Sequence, residues 1–140
     1  MTIQEIQDEI VDEFSMFEDW LQRYEYIIDL GKSLPLIDEQ FKTEDNIIKG
    51  CQSKVWVHAE QQGEKVVFTS DSDAILTKGI IAILIRAFSN QKAADILEAN
   101  TDFIDKIGLK EHLSPTRANG LVSMVKKIKM YALAFESKNE

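Results

Sequence analysis

The sequence predicts an α+β fold, and three observations carry that prediction. Apolar residues recur at three- and four-residue steps in the first thirty positions and again beyond residue 70, the stripe of amphipathic helices. Between them, from Gln52 to Thr69, the period changes to two, as in paired strands. The chain has 140 residues, 44% hydrophobic and 29% charged, the size and composition of one globular domain, read as 1–140. Helices, a small antiparallel sheet and then helices again is the α+β order.

The elements follow in turn. Thr2 and Glu5 form a capping box, and Ile3, Ile6, Ile10, Phe14 and Phe17 line one face of the helix they open. Glu18-Asp19 can open a second helix carrying Trp20, Leu21, Tyr24, Ile27 and Ile28, with Gly31 at its C-cap and Pro35 barring continuation. Residues 36–50 are polar and mixed in charge, a loop long enough to suggest a function. Val55, Val57 and Ala59 alternate with Lys54, Trp56, His58 and Glu60 as a strand with one face toward a core. Gln61 to Glu64 is a turn, and Lys65 to Thr69 returns as the second strand. Two strands alone are marginal, so helices should cover the hairpin and part of 36–50 should pair beside it. Ser70-Asp71-Ser72-Asp73 offers N-caps for an apolar helix over 73–88. Ser89 can cap a short helix to Ala99, and Thr101-Asp102 another, ended by Gly108. Ser114-Pro115 opens a final helix to about Phe135, with Leu121, Met124, Val125, Ile128 and Tyr131 inward.

Charge and composition exclude several functions. Sixteen Lys and Arg against 24 Asp and Glu leave a net charge of −8, which disfavours phosphate-backbone binding, so no nucleic-acid partner is expected. Residues 1–25 hold eight acids and one base, Arg23. Lys126, Lys127 and Lys129 read as a solvated helix face. The acidic N-terminus is unlike a signal peptide, and the longest apolar run, Gly79 to Ile85, is far short of the ~20 residues of a membrane span. It reads as a buried helix. One cysteine cannot form an internal disulfide and fits a reducing cytoplasm.

The residues that could carry chemistry are few. Cys51 follows the long loop and a glycine. A lone cysteine is commonly a small buried hydrophobe, yet a loop position favours function, and flanking Lys49 and Lys54 would favour the thiolate. His58 is more than ~20 Å along an extended strand from it and on the other face. His112 could approach only through the fold. One Cys and two His without metal-ligand spacing make a metal site improbable, and no glycine-rich phosphate loop is present. Asp71 and Asp73 are explained by capping. Arg117, in the first turn of the last helix, opposes the helix dipole, which hints at pairing with a carboxylate or an anionic partner.

Gly50-Cys51-Gln52-Ser53-Lys54-Val55-Trp56 resembles a motif of the SufE family, the sulfur acceptors that work with cysteine desulfurases. Three further stretches agree in order: Ser70 to Ala74 with Lys78-Gly79; Phe103 to Leu109, with Ile107 where leucine is usual; and His112 to Arg117 with Asn119-Gly120-Leu121 and Met124. The resemblance implies a curved antiparallel sheet of about three strands packed against helices, as in scaffold proteins of the IscU type, with the third strand around Phe41 to Ile48. It implies that Cys51 accepts persulfide sulfur, stimulates the desulfurase and delivers sulfur for iron–sulfur cluster assembly. Gln52, Ser53, Asp73, His112 and Arg117 would be supporting or partner-contact positions. The partners would be a SufS- or CsdA-like desulfurase and a SufBCD-like scaffold. No cofactor is expected on this chain, pyridoxal phosphate belonging to the desulfurase, and no turnover is expected without that partner. The cysteine count agrees, since one thiol can carry one sulfur but cannot hold a cluster. A regulator that docks on the desulfurase without thiol chemistry is the alternative.

Overall fold

The computed structural model describes residues 1–51 and 53–139. Helices α1 (Ile3–Ser15) and α2 (Trp20–Gly31) come first. Strands β1 (Val55–Gln62) and β2 (Lys65–Ser72) follow, then α3 (Ile75–Phe88), a two-residue β3 (Gln91–Lys92), α4 (Ala93–Glu98), α5 (Asp102–Lys106), α6 (Leu109–His112) and the long α7 (Pro115–Asn139). The three strands form one antiparallel sheet in the order β1-β2-β3. This is an α+β fold.

The N-terminal signals act as read. Thr2 Oγ1 accepts from Glu5 N–H at 3.1 Å while Glu5 accepts from Thr2 N–H at 3.0 Å. Asp19 caps α2, accepting from Gln22 N–H at 2.8 Å. The hairpin register pairs Gln62 with Lys65 across a two-residue turn, where Gly63 takes φ +63°, a conformation glycine adopts without cost. Val55, Val57, Val66 and Phe68 are buried on one face, and α3 packs there with Ile80, Ile81, Ile83, Leu84 and Ile85 inward.

The third strand is a correction. It is Gln91–Lys92, paired with Val66 and Lys65, and not Phe41 to Ile48. From Glu39 to Ile48 the chain makes two 3₁₀ turns, Glu39–Phe41 and Glu44–Asn46, and touches β1 through one bridge, Ile47 to Trp56. Its acids Asp38, Glu39, Glu44 and Asp45 favour local turns over a ladder.

Gly31 is a second correction. It is the last helical residue of α2, capped by Lys32 in ordinary helical geometry, and its role is close approach: a Cβ there would lie 3.0 Å from Gly79 N. Ser89 is likewise not an N-cap. It closes α3 and its Oγ accepts from Phe68 N–H at 2.9 Å, which ties the helix end to β2.

The lysines of α7 are the third correction. Of Lys126, Lys127 and Lys129, read as one solvated face, only Lys126 is exposed. Lys129 reaches into the end of α4, its Nζ donating to the carbonyls of Ile96, Leu97 and Ala99 at 3.1, 3.2 and 2.6 Å. A cation there satisfies orphan carbonyls and meets the negative end of the helix, while burial pulls its pKa down. Lys129→Met keeps the stem and removes three bonds. It is expected to cost about 1–3 kcal/mol, read as a lower urea midpoint with an unchanged m-value.

Candidate functional site

Cys51 lies where the 36–50 segment turns into β1, and two glycines set its position. Gly50 has φ +92°, and a Cβ on it would lie 3.1 Å from Ser123 Oγ. A side chain at Gly120 would put its Cβ 3.0 Å from Cys51 Sγ. The loop therefore lies directly against the first turns of α7, its thiol over a helix notch open only because residue 120 has no side chain. Sγ is 3.8 Å from Gly120 O. Leu121, Met124 and Ile128, all buried, fasten that part of α7 to the core.

The thiol is half-buried in a pocket lined by Ser53, Thr77, Ile80, Arg117, Gly120 and Met124. Its free space is about 10 Å³, close to the smallest volume that admits one water. Burial pushes the Cys51 thiol pKa up. Flanking Lys49 and Lys54 were expected to favour the thiolate; both are exposed, and desolvation outweighs them. Burial thus disfavours the nucleophilic thiolate in the free protein.

Of the residues singled out from sequence, Ser53 and Arg117 share this pocket. Ser53 Oγ lies 3.0 Å from Thr77 Oγ1, joining the loop after Cys51 to α3. Arg117 is exposed, its N–H donating to Ser114 Oγ at 3.3 Å. Among the described residues no carboxylate lies within ion-pair distance of its guanidinium. Asp73 is not the helix cap that its setting suggested, since α3 is opened by Ala74 without a side-chain bond. Its Oδ1 accepts from Lys54 N–H at 3.0 Å and its own N–H donates to Lys54 O at 3.2 Å. It clamps the chain three residues beyond the thiol. Asp71 is an ion-pair partner, 2.9 Å from Lys42 Nζ and 3.4 Å from Lys78 Nζ.

His112 does not line the pocket. It stacks on Trp20 at 3.8 Å between centroids, with Nδ1 3.1 Å from Gly108 O. His58 stacks on Phe41. Gln52 lies outside the described residues. Sequence reading missed Thr77 and Gly120 as pocket walls, because helical residues are brought to the loop only by the tertiary fold. Among the described residues no three His, Cys, Asp or Glu side chains gather as a metal site requires, and no helix is long and apolar enough to cross a membrane.

This sequence and this fold have counterparts among known proteins. The family described as "SufE: Fe-S metabolism associated domain" matches residues 8–132. An uncharacterized SufE-like protein of Rhizobium meliloti is 42% identical over 130 residues, 89% of this chain and 93% of that one. SufE-like protein 1, chloroplastic/mitochondrial, of Arabidopsis thaliana is 41% identical over 133 residues, 94% of this chain but 36% of that longer protein. The solution structure of a hypothetical protein from Thermus thermophilus superposes with a TM-score of 0.77 over 92% of this chain and 94% of that one; at 20% identity it shows the fold alone. The protein is thus an α+β domain of iron–sulfur metabolism. The chain belongs to the SufE family.

Proposed function

We propose that Cys51 receives sulfane sulfur from a cysteine desulfurase, stimulating that enzyme, and passes the sulfur on to an iron–sulfur cluster scaffold. The Cys51 thiolate attacks the terminal sulfur of the donor's cysteine persulfide. The new S–S bond forms on Cys51 as the donor's S–S bond breaks, and the donor cysteine leaves as thiolate. No electrons are gained or lost overall, so the step needs no cofactor on this chain; pyridoxal phosphate would act on the desulfurase. The observation that carries the reading is the one thiol of the chain, at the end of the 36–50 segment and seated in a pocket, in a family tied to iron–sulfur metabolism. Seating also serves a carrier, because an exposed persulfide loses its sulfur to any small thiol. An unpaired thiol suits a reducing compartment such as the cytoplasm, although the Arabidopsis relative's name places that protein in organelles.

Intact-mass measurement after incubation with a desulfurase and cysteine tests this. The protein should gain one sulfur atom, removable by a thiol reductant, and Cys51→Ser should gain none. Stimulation of the desulfurase by Cys51→Ser at the wild-type level would overturn the reading in favour of a non-covalent regulator.

The neighbours of the thiol give a second expectation. Arg117→Ala removes an exposed cation that opposes the helix dipole, so its melting temperature should stay within about 2 °C of wild type, as for a surface change of ≤0.5 kcal/mol. Sulfur loading should slow severalfold. Asp73→Ala should cost about 1 kcal/mol through the lost bond to Lys54 N–H and slow loading as well. A sharp fall in melting temperature for Arg117→Ala with normal loading would make that arginine structural.

A further inference from the structure

We infer that the mouth of the Cys51 pocket is an electropositive docking surface for an acidic rim around the sulfur donor's exit. This rests on the carrier reading above. Although the chain carries −8 overall, the exposed cations Lys49, Lys54, Arg117 and Lys126 lie at this mouth and in the groove beside it. Lys49 and Lys54 lie two and three residues from Cys51, within ~7 and ~11 Å by chain length alone. Arg117 lines the pocket itself. Lys49 also shares a groove with Lys126 and Lys127 of α7 and with Glu44 and Asp45 of its own segment. Lys127 is tied back to Asp45 O at 2.8 Å.

Among the described residues, Lys49, Lys54, Arg117 and Lys126 make no ion pair. Across the mouth and the groove, Lys49, Lys54, Arg117, Lys126 and Lys127 are set against Glu44, Asp45 and Asp73, five cations to three carboxylates, so the patch is net positive on an acidic protein. Part of the negative charge sits toward the other end of α3. Thr77 is in the Cys51 pocket, whereas Arg86, nine residues and ~13.5 Å along the helix, is covered by Glu9 at 2.8 Å and by Glu13, two of the acids of α1. A molecule polarised in this way is turned thiol-first by an acidic partner and thiol-last by a basic one. Ile75, 69% exposed at the start of α3, adds an apolar contact beside the charged ring, the composition of a protein–protein patch with a polar rim.

Two measurements test this. The first needs no partner: the ratio of Cys51 alkylation by iodoacetate, an anion, to that by neutral iodoacetamide should be higher in the native protein than in the urea-unfolded chain. That excess should shrink between 50 and 300 mM salt as the Debye length contracts. The second uses sulfur loading by a cysteine desulfurase. Lys49→Glu and Lys54→Glu should each raise the half-saturating concentration about tenfold at low salt. Lys65→Glu makes the same charge change at the far tip of the hairpin and should leave it unaltered. Loading by wild type that is indifferent to salt, with Lys54→Glu behaving like Lys65→Glu, overturns the docking surface alone. Failure of wild-type Cys51 to gain sulfur overturns the carrier reading and its acidic partner with it.

Discussion

Gly79→Ala is expected to destabilise the protein by about 3 kcal/mol, since its added Cβ makes the closest contact of any glycine in the chain. Two terms compete. Alanine is the better helix former by ~1 kcal/mol in a helix interior. Against it, a Cβ at residue 79 would lie 2.1 Å from Ile27 O and 2.7 Å from Ile27 C. Those are backbone atoms of α2 and cannot rotate away, so the two helices would have to part. Ile27 is fully buried and α3 carries much of the core, so parting them opens packing on both sides of the contact. Such overpacking costs more than the propensity gain. Gly31→Ala, whose Cβ would meet Gly79 N at 3.0 Å, should cost visibly less. Urea midpoints for the pair decide the matter: equal midpoints, or a wild-type value for Gly79→Ala, would mean that α2 and α3 do not pack this closely. Because Thr77 and Ile80 flank Gly79 and wall the Cys51 pocket, Gly79→Ala should also alkylate faster at Cys51.

The same glycine shows how the sequence carries two kinds of information in one motif. Lys78-Gly79 stands in a stretch whose resemblance points to function, yet the structure gives Gly79 a packing role between helices. The Phe103 to Leu109 stretch is similar. Ile107 and Leu109 are buried, and Gly108 takes φ +76° against Trp20, the ring that also stacks on His112. Those residues join the N-terminal helices to the start of α7, away from the thiol pocket. Helices and hairpin were legible because each announces itself locally, through a 3.6- or two-residue period and through caps such as Thr2, Asp19 and Ser114. What local pattern could not supply was the third strand. Gln91–Lys92 is too short for any period, and its pairing depends on α3 ending at Ser89 and on Asn90 turning back to donate to Val66 O at 2.8 Å. Lys129 was illegible for a related reason: its charge reads as a solvated face until α4 brings three carbonyls to it. At the site, Cys51 and Arg117 stood out by type and position. Gly120 did not, because its meaning lies in what presses against it.

Gly120→Ala supplies the sharpest test of that contact, and its expected outcome is a protein of nearly wild-type stability with an unseated thiol. The new Cβ would lie 3.0 Å from Cys51 Sγ, 3.6 Å from its Cα and 3.7 Å from its Cβ. Either α7 shifts or the cysteine leaves. Moving α7 would disturb Leu121 and Met124, buried neighbours on the same turn, at a core-packing cost of about 1–3 kcal/mol. Moving the cysteine gives up only the burial of one half-buried side chain on a loop, which the ~1 kcal/mol propensity gain of alanine over glycine offsets. The loop is therefore what yields. Burial is what raises the thiol pKa, so an unseated thiol titrates lower and is more ionised at neutral pH. Iodoacetamide labelling of Gly120→Ala near pH 7.5 should run faster than in wild type, because a thiol of lower pKa is more fully thiolate at that pH. The pH–rate inflection should move down toward an ordinary thiol. Once loaded with sulfur, the variant should also lose it faster to added small thiols, since the persulfide no longer has a pocket to return to. Labelling as slow as wild type, with an unmoved inflection, would show that the helix gave way and that Gly120 does not hold the thiol in place.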